Sequence, residues 1–148
     1  MELTQNPVFI VFAVCAAVLC LKMAAVGHFT GITRMRRGVY LNPEDAQAFS
    51  KKEEFASIEH PDVERGLRAH RNDLESTLPF LGIGLVYVLV GPPALLAQVL
   101  LIAFTVLRCA FSLFYIRALQ PWRSASFLLG ELCLLIMLAQ ILWWGLVG

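Results

Sequence analysis

Four stretches of the chain are almost wholly apolar: Val8 to Thr30, Leu74 to Val90, Ala94 to Leu119 and Ser124 to Val147. A hydrocarbon core about 30 Å thick asks for about 20 such residues per helix, so the pattern predicts an all-α protein, a four-helix bundle integral to the membrane. Gly91-Pro92-Pro93 separates the second stretch from the third, because two prolines remove two backbone donors and clash with a continuing helix. Gln120-Pro121 ends the third stretch in the same way, leaving room only for a turn. The first stretch has no Lys- or Arg-rich leader and is too long for the apolar core of a cleavable signal, so it reads as a retained span.

Composition agrees with lipid as the solvent. Hydrophobic residues make up 58% of the 148 positions and charged residues 16%, against about 25% charged in soluble domains, and the mean hydropathy is +0.69. Residues 1–148 are expected to form one domain, with function placed in the helices or their short connections. The only long polar stretch runs from Arg34 to about Pro61; its Asn42-Pro43-Glu44-Asp45 predicts a turn followed by first-turn helix acids.

The net charge of +1 hides an uneven distribution. Arg34, Arg36, Arg37, Lys51, Lys52, Arg65, Arg68 and Arg71 cluster at the first connection, and Arg117 and Arg123 flank the third. The positive-inside rule then puts these connections in the cytoplasm and both termini on the far side. Cys15, Cys20, Cys109 and Cys133 all fall in apolar segments, and His28, His60 and His70 are scattered; neither set has metal-ligand spacing. No phosphate-binding glycine loop, nucleophile with a neighbouring base, or aromatic-interleaved basic surface for nucleic acid is visible.

Between Asp62 and Glu75 the pattern is helical, and Glu64, Arg68, Arg71 or Asn72, and Glu75 recur every three or four residues on one face. That face runs into the second apolar stretch. Lys22, Arg108 and Glu131 lie inside the other three, so every helix carries a charge into the membrane region, where ionisable groups pair or line a polar cavity. Convergence on a shared cavity is the expectation; a network that only holds the bundle together is the alternative. An Arg-rich cavity suits carboxylates, whereas Glu75 and Asn72 suit an ammonium or amide, so the ligand should carry both signs. Tyr115, two turns after Arg108, adds a phenol to the cavity or stands in an interfacial aromatic belt.

The run Val63-Glu64-Arg65-x-x-Arg68-Ala69-His70-x-Asn72-Asp73-x-Glu75-x-x-x-Pro79-Phe80 closely resembles the family of membrane-associated proteins in eicosanoid and glutathione metabolism. Asn42-Pro43-Glu44-Asp45-Ala46, Gly91-Pro92 and Pro121-Trp122-Arg123-Ser124 match as well, so the resemblance covers nearly the whole chain. It implies a homotrimer of four-helix protomers with glutathione bound between neighbours toward the cytoplasm. It also implies contacts to glutathione from Arg34, Arg68, His70, Arg71, Asn72, Glu75 and Tyr115, and places Arg123 and Ser124 near its sulfur. Arg123 is then the candidate cation that lowers the thiol pKa from about 8.5, and Ser124 the candidate donor to the sulfur.

Asp45, Arg123 and Ser124, the three catalytic candidates, resemble the prostaglandin E synthase branch, but Phe111, Phe127 and Leu128 stand where that branch has His, Tyr and Thr. Leu81-Gly82-Ile83-Gly84-Leu85 and Ser126-Phe127 resemble the microsomal glutathione transferase branch. The expected activity is therefore conjugation of glutathione to hydrophobic electrophiles, with lipid hydroperoxide reduction beside it, in the endoplasmic reticulum of a eukaryote or the inner membrane of a bacterium. Isomerisation of a prostaglandin endoperoxide and a catalytically silent lipid-binding or adaptor role are the alternatives.

Overall fold

A computed structural model describes residues 3–50 and 56–147 of the chain; Lys51 and Lys52 lie outside the described residues. After a short 3-10 turn at Leu3–Gln5 come five helices: α1 (Pro7–Arg37), α2 (Pro43–Phe49), α3 (Pro61–Val90), α4 (Ala94–Ile116) and α5 (Trp122–Val147). Among the described residues there is no strand. All but α2 are long and apolar enough to cross a membrane.

Local chemistry fixes the ends of these helices. Asn6 caps α1 by accepting from Val8 N at 2.9 Å, and Pro7 fills the first helical position, where an N–H would have no helical acceptor. At the other end Gly38 takes φ 62°, a left-handed conformation open to glycine at little cost, and its N–H closes on Arg34 O. Helix α3 starts the same way, with His60 Nδ1 accepting from Asp62 N at 3.2 Å ahead of Pro61. Gly91, at φ 77°, ends it before Pro92 and Pro93. The first apolar stretch, expected to end near Thr30, thus continues as helix to Arg37, and α3 begins well before the apolar residues do. Hydropathy marks the lipid slab, whereas caps mark the helix.

Helix α1 packs on α3 and α4, and α5 packs on α4 and α3. Lipid is as apolar as a leucine, so close packing and hydrogen bonds must hold such helices together. Phe12, Phe80 and Phe104 make the central stack, the last two nearly parallel with centroids 4.5 Å apart. Tyr87 donates to Gln140 Oε1 at 2.9 Å and ties α3 to α5.

Gly84 and Gly66 let α1 approach α3. A methyl group at Gly84 would come within 2.7 Å of the Phe12 ring, and one at Gly66 would clash with Thr30 Oγ1. Gly84→Ala is expected to destabilise the bundle by about 1–3 kcal/mol through overpacking. Gly31→Ala, where nothing lies within 4 Å of the added atom, should be neutral or slightly stabilising; thermal unfolding of both variants in detergent checks this.

The outward faces are leucine-rich, as lipid contact demands: Leu21, Leu95, Leu128 and Leu142 are all exposed. Exposed Trp122 and Trp143 stand near opposite ends of α5, about 32 Å apart along the axis. That spacing matches two interfacial belts on a hydrocarbon core of about 30 Å. One end of the bundle collects Arg34, Arg36, Arg37, Arg65, Arg68, Arg71, Arg117 and Arg123, while the other has no basic side chain among the described residues.

Candidate functional site

The charges within the four long helices form one layer. Lys22, Asp73, Arg108 and Glu131 each lie about 21–26 Å along their helices from the arginine-poor end. Lys22 Nζ donates to Asp73 Oδ1 at 2.7 Å, and Ser112 Oγ donates to the same oxygen at 2.9 Å. Arg108, wholly buried, pairs with Glu131. Gly130 leaves space for its guanidinium, which sits over the rings of Phe104, Phe111 and Phe127 at 5.3, 5.9 and 4.9 Å. These charges do not converge on a common ligand cavity, contrary to the expectation; within the protomer they neutralise one another. Asp73 was not singled out in the sequence because Asn72 and Glu75 beside it fit the polar face. Its signal was the other stripe of α3: Asp73, Ser76, Thr77, Phe80, Gly84 and Tyr87, all buried.

Nearer the arginine-rich end, α3, α4 and α5 enclose a cleft of about 360 Å³ lined by Asn72, Tyr115, Arg123 and Ser124 on its polar side and by Phe111, Phe127 and Leu128 on its apolar side. The Arg123 guanidinium lies 4.9 Å from the centroid of the Tyr115 ring, a cation–π contact that orients it. Tyr115 meets Phe111 edge-on at 5.5 Å, and Phe111 meets Phe127 at 5.7 Å. An aromatic wall therefore joins Arg123 to Arg108.

Gln120 connects the two polar groups at the start of α5. With its amide oxygen toward the guanidinium, it accepts from Arg123 Nε at 3.0 Å and Nη2 at 2.6 Å, and its nitrogen donates to Ser124 Oγ at 3.1 Å. The opposite orientation would set amide donors against guanidinium donors. Because Ser124 Oγ then accepts from Gln120, its own proton is left for another acceptor. In the sequence Gln120 reads only as part of a turn, although it stands three and four residues before Arg123 and Ser124, on their helical face.

Two further polar atoms point to a missing partner. Asn72 Oδ1 in the cleft and His70 Nδ1, two residues earlier on α3, are buried without a hydrogen bond, a costly state for a polar group. The remaining candidates do not line the cleft. Arg68, exposed, pairs with Glu64 at 2.9 Å and interacts with Tyr115. Arg71 and Glu75 are exposed on the same outer face of α3. Arg34 pairs with Glu59. Asp45, in the first turn of α2, accepts from Asn42 Nδ2 at 3.1 Å.

A profile of the MAPEG family matches residues 12–143. Bovine "Prostaglandin E synthase" is 38% identical over 144 residues, covering 97% of this chain and 93% of that protein. The human protein of that name is 40% identical over 140 residues, covering 94% and 91%. Pig "Microsomal glutathione S-transferase 1" is 41% identical over 132 residues, covering 87% and 85%. With the profile and these relatives both spanning most of its length, the chain belongs to the MAPEG family.

Proposed function

We propose that this protein is a membrane-bound glutathione transferase in which Arg123 and Ser124 hold the glutathione sulfur ionised for attack on hydrophobic electrophiles. Reduction of lipid hydroperoxides is its second activity. The observation that carries the reading is the single cleft that sets a ring-oriented guanidinium and a serine hydroxyl beside three apolar side chains. The pig relative, named for glutathione transfer, agrees with it. Glutathione fits the residues present: Asn72 Oδ1 lacks a donor, and Arg68 and Arg71 match its carboxylates.

Bound glutathione supplies a thiol nucleophile. Arg123, held by Tyr115 and Gln120, keeps its charge fixed where the sulfur is proposed to sit, and each 1.36 kcal/mol of this preference lowers a thiol pKa by about one unit. Ser124 donates its free hydroxyl proton toward the sulfur. Phe111, Phe127 and Leu128 exclude water and offer an apolar surface to the second reactant, which reaches the site from the bilayer.

The site is proposed to be completed in a homotrimer. Arg68, Arg71 and Glu75 extend along an outward face of α3 into its apolar part, and Glu75 has no ion-pair partner among the described residues. Leaving such groups against lipid is costly, so a neighbouring protomer and a ligand with both charge signs would satisfy them, with Arg34 and Asp45 arriving from the neighbour. The arginine-rich end, and with it the site, is proposed to face the cytoplasm. Glu75→Ala is expected to weaken glutathione binding about tenfold by deleting a charge-assisted contact, with kcat nearly unchanged. Calorimetric titration beside steady-state kinetics separates the two effects.

A glutathione-dependent prostaglandin E synthase is the second reading, favoured by the shared Asp45, Arg123 and Ser124 and by the names of the bovine and human relatives. Product analysis with a prostaglandin endoperoxide and a model aryl halide decides between them. Conjugation of the halide with little isomerisation supports the transferase, and the reverse ratio overturns it. Failure of the purified protein to bind glutathione would favour a silent lipid-binding or adaptor role.

A further inference from the structure

On the opposite side of α4 from the catalytic cleft, and sharing no residue with it, two recesses join end to end between α1 and its neighbours. The first, of about 340 Å³, is walled by Arg36, Arg37, Asp62 and Arg65 and floored by Phe29 and Ile116. The second, of about 270 Å³, shares Phe29 and Ile116 and continues up the bundle past Val26, Leu113 and Ala25 to Lys22. Together they make a groove with a cationic mouth and an apolar trough.

The charges at the mouth are not balanced by the protein. Arg37 is paired with Asp62, but Arg36 and Arg65 have no acidic partner among the described residues, so three guanidinium groups face one carboxylate. Lys22, at the inner end, is already neutralised by Asp73. Positive charge is therefore available only at the mouth. From Arg36 to Ala25 the groove follows α1 for eleven residues, about 16 Å. That is close to half of a hydrocarbon core about 30 Å thick, the depth of one leaflet.

We infer that this groove is a binding site for an anionic phospholipid, its phosphate held by Arg36 and Arg65 at the arginine-rich end and one acyl chain lying along Ala25, Val26, Phe29 and Leu113. Guanidinium forks match phosphate oxygens bidentately, and the trough supplies the apolar contact a free phosphate would not use. The site needs only the membrane-spanning placement of the helices, and holds whether or not the cleft beyond α4 activates glutathione.

The test is lipid retention without glutathione. The protein is reconstituted into bilayers of phosphatidylcholine with a minority of phosphatidylglycerol, extracted gently, and its bound lipid counted by native mass spectrometry. The intact chain is expected to retain phosphatidylglycerol preferentially. Arg36→Gln with Arg65→Gln should cut that retention about 10- to 30-fold, and Ala25→Phe should cut it by filling the trough. Arg117→Gln, at the same membrane face but outside the groove, should leave it unchanged, as should millimolar inorganic phosphate. No preference for the anionic lipid, an equal loss with Arg117→Gln, or displacement by inorganic phosphate alone would each overturn the proposal. The first two would indicate diffuse surface charge, and the last a soluble anion.

Discussion

Replacing Arg123 by alanine is expected to lower kcat for conjugation at neutral pH by about 10²- to 10³-fold, the usual loss when a fixed electrostatic stabiliser is removed from an active site. Affinity for glutathione should fall much less, because the peptide's carboxylates are proposed to be held by other arginines. Among the described residues of the protomer the guanidinium is the only cation lining the cleft, and Tyr115 and Gln120 fix its plane. Arg123→Lys should recover part of the rate, since a point charge remains but the fork that engages Gln120 is lost. Part of the alanine defect should return at alkaline pH, where free thiol ionises unaided. Steady-state kinetics across pH check this pattern; a large rise in KM with kcat intact would assign Arg123 to binding instead.

The second large effect is expected in the buried charge layer, outside the cleft. Asp73→Ala should destabilise the protein by about 3–5 kcal/mol, because it strips the counter-charge from a largely buried Lys22. The substitution also takes one acceptor from Ser112. Lys22→Met together with Asp73→Leu should restore much of that stability, since a buried pair replaced by apolar groups of similar volume is often neutral. Unfolding of both single variants and the double variant in mixed micelles gives the coupling energy. A cost below about 1 kcal/mol for Asp73→Ala would mean that Lys22 escapes to a polar environment.

These two expectations differ in how far the sequence foreshadowed them. Arg123 and Ser124 stand in a compact motif after Pro121, and the structure brings them together with Asn72 and Tyr115 in one cleft, as the family resemblance implied. The four spans were equally legible, because a run of apolar residues bounded by Gly-Pro or Gln-Pro leaves lipid and turn chemistry few alternatives. The pairing of intramembrane charges was not. Which of Lys22, Asp73, Arg108 and Glu131 meet depends on the rotation of each helix about its axis. Close contacts such as Gly84 on Phe12 and Gly66 on Thr30 set that rotation, and they join residues far apart in the chain. Arg34, Asp45, Arg68, Arg71 and Glu75, expected in one site, stay outside the cleft of the protomer; bringing them to it is proposed to need a neighbouring protomer, which linear sequence does not position.

The central claim is that a fixed guanidinium in a partly apolar cleft keeps a bound thiol ionised. Ultraviolet titration of the glutathione thiolate in complex with the intact protein, repeated with Arg123→Ala, measures that state without turnover. The bound thiol of the intact protein is expected to titrate more than about one unit below the ordinary value near 8.5, and to return toward that value in the variant. A bound thiol titrating near 8.5 in the intact protein, or a lowered pKa that survives the loss of Arg123, would contradict it.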